Sequence, residues 1–180
     1  MTWPGNSGAG RSREMASIII DGYNLIGVLH GDVEAERQRL LEMLMEYRKL
    51  KGHDITVVFD GWKEGRAQGS GAVTGGIRVV YSPLGEKADA VIKRAVSESR
   101  GNLIVVSSDR EIQGHAWARG AVPVDSEVFM GKLEHAGRPE EPVPEGEDEE
   151  DYAAGETGRR GNPRRPSKRQ KALRRALSKL

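Results

Sequence analysis

Cysteine is absent from this 180-residue chain, which excludes disulfides, zinc–thiolate centres, iron–sulfur clusters and thiol nucleophiles. Long apolar runs are absent too. No stretch approaches the ~20 apolar residues that cross a bilayer, so no membrane association is expected. The opening MTWPGNSGAGRSRE lacks the apolar centre of a secretory signal, and a cytoplasmic protein is expected. Aromatic residues make up only 5% of the chain, so its core must be built from aliphatic side chains. The histidines, at 30, 53, 115 and 135, have no metal-site spacing and read as structural or exposed. No Walker A or G-x-G-x-x-G run follows the first apolar segment, so no nucleotide cofactor is expected. Ser107-Ser108 lacks the glycines of a nucleophile elbow.

What is present divides the chain. Residues 1–137 carry 17 Lys+Arg against 18 Asp+Glu, whereas residues 138–180 carry 11 against 9 and almost no large apolar side chains. Residues 1–14 read as a disordered extension, with Met15 a candidate start. Residues 15–137 read as one folded domain, 138–155 as an acidic linker and 156–180 as a basic tail. Residues 138–151 hold eight acids and one Arg; residues 156–180 hold ten cations and one Glu. From Ser167 the tail can form a helix with Ala172, Leu173, Ala176, Leu177 and Leu180 on one side.

Within the domain, short apolar runs alternate with amphipathic segments. Ile18–Ile20, Ile55–Phe59, Ile77–Tyr81, Leu103–Val106 and Ala121–Val124 read as strands. Residues 33–50, 86–99, 110–119 and 126–135 read as helices. Residues 63–76 contain five glycines and no periodicity, and are expected to be a mobile loop. Near-continuous apolar strands between helices predict an α/β fold with a mostly parallel sheet.

The aspartates carry the functional signal. Asp21, Asp60 and Asp109 each follow a predicted strand directly, and Asp89 falls in the first turn of the helix after the third strand. The strand ends of a parallel sheet share one edge, where open α/β folds build their sites. Asp-Gly is also a common turn and Asp a common N-cap, so each aspartate has an ordinary structural reading. Their coincidence on one edge favours a site. Converging carboxylates need a neutralising cation or a raised pKa. An oxygen-only ligand set selects a hard ion, Mg²⁺ or Mn²⁺, of the kind that serves phosphodiester hydrolysis.

The segment Ile19-Ile20-Asp21-Gly22-Tyr23-Asn24-Leu25-Ile26 resembles the opening signature of the YacP-like NYN domain family, within the PIN-like nuclease superfamily. Val57-Val58-Phe59-Asp60-Gly61, Glu86-Lys87-Ala88-Asp89 and Val106-Ser107-Ser108-Asp109 are similar to its later motifs, in order and spacing. The resemblance spans about residues 16–136. It implies a PIN-like, Rossmann-like sheet flanked by helices, a divalent metal and endoribonuclease activity. Onto this chain it carries Asp21, Asp60, Asp89 and Asp109 as the catalytic set. Asp21, Asp89 and Asp109 are the expected metal ligands, with Asp60 a ligand or an orienter of water, and Asn24 and Ser108 in support. Family members often have a second acid where this chain has Ala90, which leaves Glu86 as a candidate substitute.

The expected partner is RNA, with messenger RNA, ribosomal RNA and the ribosome as candidates. Tyr23 is a candidate for base stacking. Arg66, Lys87 and Arg110, and in the tail Arg164, Arg165, Lys168 and Arg169, are candidates for phosphate contacts. The rival reading is a module of the same fold that binds RNA without cutting it.

Overall fold

The computed structural model describes residues 15–27, 32–61, 70–99, 101–136 and 167–180. Six strands form one sheet: β1 (Ser17–Asp21), β2 (Asp54–Phe59), β3 (Ser70–Thr74), β4 (Ile77–Tyr81), β5 (Leu103–Val106) and β6 (Val122–Val124). Their order is β3-β4-β2-β1-β5-β6. All neighbours are parallel except β3 and β4. The expected strands and their parallel pairing are therefore present.

One expectation is corrected. Residues 70–74 are not part of a loop: they are β3, paired antiparallel to β4 as a hairpin edge. The turn is Gly75-Gly76, with φ at 57° and 83°. Both central residues of the favoured two-residue hairpin turn need positive φ, which glycine adopts without strain. Two of the five glycines thus build the hairpin.

The helices are α1 (Gly22–Ile26), α2 (Val33–Lys51), α3 (Ala88–Glu98), α4 (Arg110–Ala118), α5 (Ser126–His135) and α6 (Lys168–Lys179). The sheet separates two apolar layers, because alternate strand residues point to opposite faces. On one face Ile18, Ile20, Ile55, Val57, Phe59 and Val106 pack with α1, α2, α5 and the end of α6. On the other, Ile19, Val58 and Val105 pack with α3 and α4. None of the described helices is long and apolar enough to cross a membrane.

The sequence allows a helix after Ser167 within a tail expected to be disordered or partly helical; the structure shows that helix formed and docked on the domain. A capping box between Ser167 and Gln170 starts α6. Ala176 and Leu180 are buried in the main core, with Leu173 and Leu177 packed against it. Two buried polar groups grip the end of the helix. The Tyr47 hydroxyl donates to a main-chain oxygen of Leu180 at 2.6 Å, and His53 Nε2 lies 2.9 Å from the Lys179 carbonyl. The Ala16 N–H donates to His53 Nδ1 at 3.4 Å, so Nε2 carries the proton and donates. The Arg169 guanidinium lies 5.5 Å from the centre of the Trp117 ring on α4. Ala172, Arg175, Ala176 and Lys179 share a cavity of about 190 Å³ with Ala16, Leu103 and Val122, at the amino ends of the strands.

Candidate active site at the carboxyl edge of the sheet

The chain runs outward from β1 to β2 and β4, then returns through α3 to β5 on the other side of β1. This reversal falls between β1 and β5, and the carboxyl ends of strands at such a switch point are the usual ligand position in open α/β sheets. Asp21 stands there, last in β1 and buried. Its Oδ1 accepts the Asn24 N–H at 3.2 Å, which caps α1, and its Oδ2 accepts a long bond, 3.4 Å, from the Ser107 hydroxyl. Burial chiefly, with the charges of Asp89 and Asp60 adding to it, pushes the Asp21 carboxyl up to about 6. The two hydrogen bonds pull the other way and lose.

Close packing seats these residues. A Cβ on Gly22 would fall 2.2 Å from Phe59 Cε1, and one on Gly61 would fall 2.0 Å from the Ser82 carbonyl oxygen. Ser82 is fully buried; its Oγ accepts the Gly61 N–H at 3.1 Å, and its N–H donates to the Phe59 carbonyl at 2.9 Å. The loops after β2 and β4 are thereby laced together, and Asp60 is held between them. Its Oδ1 accepts the Ala88 N–H at 2.6 Å. That bond matters because the N-cap residue of α3, Lys87, supplies no side-chain cap. Asp60 caps α3 from another loop, and Asp89 lies in the first turn of that helix.

Asp109 is the N-cap of α4, its Oδ1 accepting the Glu111 and Ile112 N–H groups at 2.7 and 3.1 Å. Its own N–H donates to Ser107 Oγ, which ties it to Asp21 through one hydroxyl. Asn24 Oδ1 accepts the Ser108 N–H at 2.8 Å and the Ser126 hydroxyl, which fixes how the amide is turned. The Ser108 hydroxyl donates to Asp125 Oδ2 at 2.8 Å, and Asp125 caps α5. Asn24 and Ser108 thus join one hydrogen-bond network that links the ends of β1, β5 and β6.

Asp125, Ser107 and Ser126 escape the sequence reading, although Asp125 also directly follows a strand and gives that same signal. Lys93 escapes it as well. It pairs with Glu111 at 2.9 Å, and that bond, with the nearby charges of Glu111, Asp89 and Asp109, raises its pKa. Lys93 therefore stands within the fields of both Asp89 and Asp109. Glu86 is engaged elsewhere, with both carboxylate oxygens on Arg94 at 2.8 and 3.3 Å. That bidentate pairing argues against its standing in for the acid missing at Ala90.

The candidate RNA contacts separate. Lys87 and Arg110 are exposed at the carboxyl edge. Tyr23 packs edge-on against Phe59, ring centres 5.3 Å apart, and burial raises its pKa. Lys168 and Arg169 are exposed on α6, toward the amino ends of the strands. Arg66, Arg164 and Arg165 lie outside the described residues.

A hard divalent cation is the group that the sequence leads one to expect at this edge. Among the described residues no three His, Asp or Glu side chains stand close enough to hold one. The donors nonetheless suit such an ion: all are oxygens, and Asp21 is pressed by two further carboxylates, a field that a cation relieves.

The model of the YacP-like NYN domain matches residues 18–171. The chain belongs to that family. The match reaches into α6, beyond the segment that the motifs cover. Among solved structures, Rae1 (YacP) from Bacillus subtilis is 23% identical to this NYN chain, with a TM-score of 0.55 over 69% of this chain and 76% of its own. A tryptophan-to-leucine variant of that protein gives 22% identity, the same TM-score, and 68% and 76% coverage. At that identity the likeness is one of fold. No curated protein matches the chain.

Proposed function

We propose that this NYN-domain protein is a metal-dependent endoribonuclease. The observation that carries the reading is Asp21: a buried carboxylate at the sheet edge where the strand order reverses, its pKa raised to about 6 by burial, with Asp89 and Asp60 adding to the rise. Such a group stays ionised at neutral pH at a cost, which a bound cation offsets. Asp21, with Asp89 beside it, would hold Mg²⁺ or Mn²⁺, waters and substrate oxygens completing a shell that this ion commonly takes up with only one or two carboxylates. When bound, the ion supplies positive charge for the phosphoryl oxygens and lowers the pKa of its water. Ser107 and Asn24 hold Asp21 and the β5 loop in register, and Lys87 and Arg110 offer phosphate contacts at the rim.

The test is cleavage of mixed RNA and DNA substrates with and without Mg²⁺ or Mn²⁺, using the wild type, Asp21→Asn and Asp89→Asn. RNA cleavage that chelator abolishes, and that either substitution lowers by about 10²-fold or more, is the expected result. Undiminished cleavage by both variants in chelator would refute it. One observation favours the rival, RNA binding without cleavage. Helix α6 carries six cations and no acid, a density that attracts a polyanion whether or not the edge cuts it. RNA bound but left intact with either metal would select it.

A further inference from the structure

Asp60 stands in the expected catalytic set, yet its geometry assigns it different work. We infer that Asp60 is a positioning residue: its carboxylate caps helix α3 from the β2 loop and thereby sets Asp89 against Asp21. Three observations meet here. Oδ1 of Asp60 is taken up by the Ala88 N–H at 2.6 Å, the shortest of the side-chain caps along this edge. Helix α3 has no cap of its own, since Lys87 occupies that position without a side-chain bond. The remaining edge carboxylates, Asp21, Asp109 and Asp125, each cap the helix that follows them directly in the chain. Asp60 caps a helix 28 residues away.

The consequence is mechanical. Asp89 is one residue past the bonded Ala88, so the first turn of α3 carries it wherever the cap holds that turn. Asp60 is itself fixed by its neighbour Gly61, whose backbone is packed against Ser82 with no room for a Cβ. A chain of contacts therefore runs from the β4 loop through Ser82, Gly61 and Asp60 to Ala88 and Asp89. What Asp60 must supply is an acceptor oxygen at one point, and an amide oxygen supplies it as well as a carboxylate does.

The inference rests on the nuclease reading for its kinetic arm alone. The experiment compares Asp60→Asn with Asp60→Ala for kcat and KM on RNA, and for hydrogen exchange at the Ala88 and Ala90 amides, whose N–H groups bond to Asp60 and to the Lys87 carbonyl. Asp60→Asn should keep kcat within about threefold and keep both amides protected. Asp60→Ala should lose about 10²-fold in kcat with KM little changed, and lose protection in the first turn of α3. Equal kcat losses in both variants, with the amides still protected in Asp60→Asn, would overturn the inference, because the charge itself would then act on the reaction. Protection that survives in Asp60→Ala would overturn it also. Should Asp60→Ala fail to fold, Asp60→Asn decides alone. A wild type that cuts no RNA, with exchange following the expected pattern, would sink the nuclease reading and leave the cap standing.

Discussion

Asp21 is ionised at neutral pH against its own surroundings, and this makes a stability prediction possible. Its pKa is raised from 3.8 to about 6, so its contribution to stability is fully present below pH 3.8 and lost as pH rises through 6. Above that range the native state gives up about 2–3 kcal/mol that a neutral group would keep. Asp21→Asn in chelator should therefore melt higher than wild type at pH 8, with the gap closing toward pH 4. No gap at pH 8 would show that Asp21 is not strained. Gly61 makes the opposite kind of claim. Gly61→Ala drives a Cβ into the Ser82 carbonyl, which is backbone and cannot rotate away. It should cost about 1–3 kcal/mol in denaturant unfolding and, by moving Asp60, lower kcat. Wild-type stability in that variant would disprove the packing argument.

Helix α6 shows what a charged segment gains from four aliphatic side chains and two buried polar partners. Removing the Tyr47 hydroxyl strands the Leu180 main-chain oxygen, so Tyr47→Phe should destabilise by about 1–2 kcal/mol and speed exchange along α6. Unchanged exchange would mean that packing alone holds the helix. The His53 contact adds pH dependence. Burial lowers the pKa of His53 below 6.5 in the folded state, so docking is fully favoured above 6.5 and weakens as pH falls below it. Protonation also removes the acceptor that the Ala16 N–H uses. The protection factors of the α6 amides, taken against intrinsic rates at each pH, should fall as pH drops below 6.5 in wild type, and much less in His53→Gln. Deleting the helix would uncover Tyr47 and His53, so charge substitution, not truncation, is the sound probe of its partner.

For the molecule as a whole, the carboxylates and the cations of α6 lie at opposite ends of the sheet. The five residues of β1 set that separation, about 15 Å or more. An RNA that meets both must be long or folded. Replacing Arg169, Lys171 and Arg174 with Gln should weaken binding of a long RNA and flatten its log–log salt slope by about one unit for each phosphate no longer neutralised. Binding of a short oligonucleotide, and kcat at saturation, should change little. Equal effects on short and long RNA would place α6 beside the carboxylates instead.

The sequence by itself determined the alternation of strands and helices, because burial on both faces of a parallel sheet leaves continuous β-branched runs that need no partner to be recognised. It determined likewise that Asp21, Asp60 and Asp109 stand at strand ends. Gly75-Gly76 between two β-prone runs is a local signal too, that of a hairpin turn, masked by the glycines around it. Tertiary structure alone decided the rest. That Asp60 caps a helix 28 residues on, that Ser107 links Asp21 to Asp109, and that Tyr47 and His53 grip a helix more than 120 residues away are contacts between distant segments. Nothing in the spacing of those residues encodes such pairings, because the sheet order and the packing of its loops bring them together only once the chain has folded.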